Sequence, residues 1–107
     1  MYTHDVSATD NTAAGNTAYG FAAMDAITTG DNNTAFGHAA GSAIQSGERN
    51  VTVGAQAGDA LTTGNNNVAV GMRALTTEDT GSKNIAIGDN ALEALNFDGD
   101  GLSLIHI

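Results

Sequence analysis

Residues 96–101 read NFDGDG, which sets Asn96, Asp98 and Asp100 two apart and follows them with Gly101. Oxygen-bearing side chains at alternate positions of a loop converge on one point, and a closing glycine allows the sharp turn that a calcium loop needs. The stretch matches the first half of such a loop. It would supply about three or four of the roughly six to eight oxygens that calcium takes, and the bidentate acid of the second half would fall within residues 102–107. Two readings stand: the start of a calcium loop with Asn96, Asp98 and Asp100 as metal ligands, or an ordinary acidic glycine turn.

Other chemistry is thin. The three histidines, His4, His38 and His106, are far apart in sequence, and no cysteine offers a thiolate or a disulfide. GHAAGSA at 37–43 has glycines but not the pattern of a phosphate loop, and no serine sits in a nucleophile elbow. No catalytic residue and no organic cofactor is expected. The chain reads as non-enzymatic.

Charge narrows the partners. Twelve Asp and Glu against three Lys and Arg give a formal charge of −9. That field repels phosphate backbones and anionic lipid, which argues against nucleic acid and bare membrane as partners. No stretch is long and apolar enough to span a bilayer, and MYTHDVSATD lacks the basic start and apolar run of a signal peptide. Hydrophobic residues make up 41%, but 19 are Ala, with five aromatics and no Trp, so a deep core cannot be filled and a thin cross-section is expected.

The elements that would carry any site come from a repeat. NVAVGMRAL at 67–75 returns 17 residues later as NIAIGDNAL at 84–92. Stepping by 17 puts Asn16, Asn33, Asn50, Asn67 and Asn84 at position 1 of successive units, and Gly20, Gly37, Gly54, Gly71 and Gly88 at position 5. Ala23, Ala40, Ala57, Ala74 and Ala91 fill position 8, and Gly30, Gly47, Gly64 and Gly81 position 15. With Gly at about 7% of average sequences, four further matches in one column have a chance of about one in 40,000. Residues 16–95 are an array of five units. Residues 1–15 keep only a weak echo, NTAAG at 11–15, and read as a degenerate cap or linker.

Seventeen residues are short for a strand, a helix and two connections, which favours an all-β unit. The reading is a parallel β-solenoid, or β-roll, with about two short strands per coil. The first strand covers positions 2–4. Its alternation is expected to send position 4 inward, because Tyr19, Phe36, Val53, Val70 and Ile87 are bulky in every copy. Position 3, mostly Ala, would then form a small outward strip on which chains could pack. The second strand covers positions 8–12, where the spacing AxxAL makes a stubby helix the alternative. Asn at position 1 is expected to turn a corner in left-handed backbone, with its amides bonded up a column, and both glycine columns to supply positive φ. Charges alternate between coils, with Asp25, Asp59 and Glu93 at position 10 and Arg49 and Lys83 at position 17. Residues 102–107, LSLIHI, break with this style and read as the translation of a sequencing adaptor, so they are set aside from the fold.

The copies NTAYG, NTAFG, NVAVG and NIAIG…NAL resemble the head repeats of trimeric autotransporter adhesins and the NTAxGxxAL…TTG repeats of bacteriophage tail fibres. The 17-residue unit with TTG sits closer to the phage type. The resemblance implies a left-handed parallel β-roll, a homotrimer, and attachment to a cell-surface receptor or glycan, on a virion or a bacterial surface. Residues 96–101 could then open a further domain, and a calcium-dependent extracellular binding module is the alternative reading.

Overall fold

The computed structural model describes residues 13–77 and 80–93, and the backbone of 103–105. Each unit contributes one three-residue strand: β1 (Thr17–Tyr19), β2 (Thr34–Phe36), β3 (Val51–Val53), β4 (Val68–Val70) and β5 (Ile85–Ile87). They stack in chain order as a parallel sheet, each residue paired with the one 17 places on, such as Thr52 with Ala35 and Ala69. The chain is an all-β parallel solenoid with no helix among its described residues. A sixth strand, β6 (Ser103–Ile105), pairs with β5 through Ile85 and Ser103, an offset of 18 rather than 17. The stretch set aside as adaptor thus prolongs the sheet out of period.

The expected second strand is absent. Positions 6–11 run as tight turns instead, because two residues there adopt left-handed backbone in each coil. In coil 4 these are Arg73 and Leu75, both at φ 57°, and in coil 1 Ala22 and Met24 at 59° and 49°. Two bonds join successive coils on this side: the N–H of position 9 donates to the carbonyl of position 8 in the next coil (Met24 to Ala40, Gly41 to Ala57, Gly58 to Ala74 and Leu75 to Ala91), and the N–H of position 7 to the carbonyl of position 6 in the preceding coil (Ala39 to Phe21, Gln56 to His38, Arg73 to Ala55 and Asn90 to Met72). The left-handed corner lies at position 17 (Asn32, Arg49, Asn66, Lys83) and not at Asn of position 1. The glycines of position 5 do have positive φ, from 125° to 136°, whereas those of position 15 do not. What forbids a side chain at position 15 is close approach: a Cβ on Gly47 would stand 2.5 Å from the Gly64 carbonyl oxygen.

The strand faces also reverse the expectation. Position 3 is the inward one: Ala35, Thr52, Ala69 and Ala86 are fully buried and Ala18 nearly so. Position 4 faces out, with Phe36 54% and Ile87 37% exposed. The reason is width. Position 3 on the strand wall and position 8 on the turn wall are both small, so the walls close to within one layer of side chains. A Tyr or Phe does not fit between them.

One larger side chain per coil fills what remains, and it comes from either of two places. In coils 2 and 3 position 9 is glycine (Gly41, Gly58), and Ile44 and Leu61 at position 12 are fully buried. In coil 4 Leu75 at position 9 fills the space, and in coil 1 Met24 does so with Ile27 packed against it. Thr52, the single non-Ala residue at position 3, fits because both neighbouring position-9 residues are glycine. A Cβ on Gly58 would lie 2.6 Å from Thr52 Cγ2, and one on Gly41 3.0 Å from Thr52 Oγ1. Gly58→Ala is therefore expected to destabilise by about 2 kcal/mol, and adding Thr52→Ala to recover about 1 kcal/mol of that. Urea titration of the two single variants and the double variant measures the coupling. Strictly additive losses would mean that Thr52 is not the obstacle.

Candidate functional site

Apart from Thr52, the buried polar side chains among the described residues form one column, the asparagines of position 1. Asn33, Asn50, Asn67 and Asn84 are fully buried. Each Asn Oδ1 accepts from the backbone N–H of the next Asn: Asn16 from Asn33 at 2.8 Å, and Asn33, Asn50 and Asn67 from the following residue at 2.9 Å. Each Nδ2 donates at 2.8 Å to the position-15 glycine of its own coil, Asn16 to Gly30, Asn33 to Gly47, Asn50 to Gly64 and Asn67 to Gly81. In Asn33 and Asn50 the Nδ2 also reaches the preceding Asn Oδ1, at 3.2 and 3.1 Å. One amide thus closes its own coil and ties it to its neighbours. The expected column of amide bonds is present, although the residues that form it are not the corner.

The charged side chains lie elsewhere on the coil. Arg73 in coil 4 stands between the position-10 acids of coils 3 and 5, bonding Glu93 and facing Asp59. Burial pushes the Asp59 carboxyl above the usual carboxylate range, against the opposing pull of a backbone hydrogen bond and of Arg73. Arg49 pairs with Glu48 at 3.1 Å and donates from Nε to Asn66 at 3.0 Å. Such exposed pairs contribute little each.

The outward strand face is different. Positions 2 and 4 project from it in two columns, Thr17, Thr34, Val51, Val68, Ile85 and Tyr19, Phe36, Val53, Val70, Ile87; position 6, where the turn segment begins, stacks as a further column, Phe21, His38, Ala55, Met72, Asp89. Tyr19 and Phe36 stack at 4.8 Å between centroids with planes 7° apart, and Phe21 and His38 at 6.0 Å and 8°. His38 is therefore a ring in an exposed ladder beside phenylalanine.

No three of His, Cys, Asp and Glu come together as a metal-holding group among the described residues. Asn96, Asp98 and Asp100 lie outside the described residues. The glycine and alanine columns at positions 5, 8 and 15 serve turns, close approach and the narrow interior. What the described surface can do is make contact along the ridges that positions 2 and 4 form on the in-register strands. Sequence reasoning missed that face, although its signal was present: position 3 tolerates only Ala and Thr, while position 4 ranges from Val to Tyr. Comparison with known proteins finds no match among family models, curated proteins or solved structures.

Proposed function

We propose that this chain is a non-enzymatic structural segment, a repeat shaft or head of a phage tail fibre or similar surface adhesin that attaches to a host surface. The asparagine ladder carries this reading. The side chains of Asn33, Asn50, Asn67 and Thr52 all bond to a neighbouring coil or close their own, so the buried polar groups serve rigidity. A stack of identical coils held in this way makes a stiff spacer whose length scales with coil number. The repeat resemblance supports a homotrimer displayed on a virion or a bacterial surface. Fluorescently labelled chain, offered to a panel of bacterial cells, is expected to be retained saturably on its host without releasing soluble material. Catalytic, time-dependent release of sugar or peptide from those cells would overturn the reading.

A further inference from the structure

We infer that Asn32 is an acceptor site for an N-linked sugar, and that the fold withholds a second acceptor sequence, at Asn50, from the same reaction. Asn-x-Ser/Thr with a non-proline middle residue is the triplet on which N-linked sugars are built. The chain holds two, NNT at 32–34 and NVT at 50–52. They differ by one residue in their phase on the coil. The first covers position 17 and then positions 1 and 2 of the next unit, the second positions 1, 2 and 3.

That one step separates them. Exposure alternates along both triplets, so the asparagine and the threonine of each share a side. In the first, Asn33 is the inward residue, and Asn32 and Thr34 on either side of it are exposed. In the second, Asn50 and Thr52 are both fully buried. Asn32 stands at the left-handed corner, φ 59°, just before β2, and its side-chain amide bonds to no other described residue. The Asn50 amide spends its N–H groups inside, on the Gly64 carbonyl at 2.8 Å and on Asn33 Oδ1 at 3.1 Å. A sugar there would replace one of those N–H groups and force a bulky polar ring into an interior one side-chain layer wide.

The co-substrate class is a nucleotide-activated hexose, presented by a transferase that reads the triplet. Asn32 Nδ2 bonds to C1 of the hexose while the bond from C1 to the diphosphate oxygen breaks. That electron pair leaves with the nucleoside diphosphate, and Nδ2 gives one proton to a base of the transferase. The Thr34 hydroxyl completes the triplet. The corner between coils 3 and 4 is an internal comparison. Asn66 is exposed there at φ 60° and Asn67 is buried after it, but Val68 stands where Thr34 does, so the triplet is incomplete.

The probe is a soluble N-glycosyltransferase that modifies unfolded peptides spanning 28–38 and 46–56, supplied with its nucleotide-activated hexose. On the folded full chain it is expected to add one hexose, mapped to Asn32 by peptide mass spectrometry, with an unchanged circular dichroism spectrum. Thr34→Val, which places there the residue that coils 3 and 4 carry, is expected to abolish transfer. Val68→Thr is expected to gain a second hexose, at Asn66. An unmodified folded chain, a hexose on Asn50 of the folded chain, or transfer that survives Thr34→Val would each overturn the inference. So would a Val68→Thr chain that takes no second hexose, since exposure of the corner would then not be what admits the enzyme. None of these outcomes bears on the cell-retention test of the structural reading.

Discussion

Asn50→Ala is expected to lower the stability of the chain by about 4 kcal/mol, which for a domain of this size is roughly 15–30 °C in melting temperature. The substitution leaves the Gly64 carbonyl without its 2.8 Å donor and the Asn67 N–H without its 2.9 Å acceptor. Asn50 is fully buried, so water cannot take the place of the amide unless the coil opens. Each orphaned buried group costs about 1–3 kcal/mol, more than the net gain of an ordinary hydrogen bond. Asn65→Ala is the control. Asn65 also accepts from the preceding coil, through Glu48 N–H at 2.8 Å, but at a partly buried position that water can reach. It is expected to cost at most about 1 kcal/mol. Equal losses in the two variants would show that the buried column has no special weight. Thermal melts followed at a β-sheet wavelength supply the comparison.

Gly47→Ala is expected to cost at least about 3 kcal/mol, or to prevent folding, although it adds only a methyl group. Gly47 has no unusual φ, so the penalty is not backbone strain at that residue. Its Cβ would lie 2.5 Å from the Gly64 carbonyl oxygen and 3.0 Å from Asn50 Nδ2. The first obstacle is backbone of the next coil and cannot rotate away. The second is the amide that closes that coil, so moving it breaks the ladder as well. Relief requires the two coils to part at this corner, which also pulls on the three N–H groups of Gln45, Ser46 and Gly47 that share the Thr62 carbonyl. Urea unfolding measures the loss, and a cost under about 1 kcal/mol would mean that coils can separate freely at this corner.

The period was legible because it is written in residue types that tolerate no substitute. Asn bonds up a stack, Gly admits close approach and Ala fits a narrow wall, so their columns appear without any structural knowledge. The phase of the strand was not legible from alternation. Alternation states that positions 2 and 4 share a face and gives no sign, and a shift of one residue exchanges inside and outside. The usual rule that bulk goes inward put Phe36 and Val53 in the core and Ala35 and Thr52 on the surface. In a coil whose opposite wall is Ala40 and Ala57, the interior admits only small residues on the strand and the rule inverts. The second strand failed for another reason. Ala22, Met24, Arg73 and Leu75 adopt left-handed backbone although none is Gly or Asn, and side-chain identity carries almost no signal for that. Tertiary closure of a 17-residue coil forces those turns, and the pull of position 9 or 12 into the core fixes them. The candidate calcium ligands Asn96, Asp98 and Asp100 stood out by departing from the period. The outward strand face did not, because its residues keep the period while varying in kind.

The bonds between coils have a mechanical consequence. Strand pairs, the turn bonds at positions 8 and 9, and the bonds from each asparagine N–H to the Oδ1 of the preceding asparagine all point from one coil to the next, along the direction in which the coils stack. A pull along that direction therefore opens these bonds head-on instead of shearing them. Within one junction they share the load, while successive junctions carry it in series. A tether built this way is no stronger than its weakest junction, however many coils are added. Lengthening the array extends reach without extending load-bearing capacity, so resistance to tearing has to come from chains bound alongside one another.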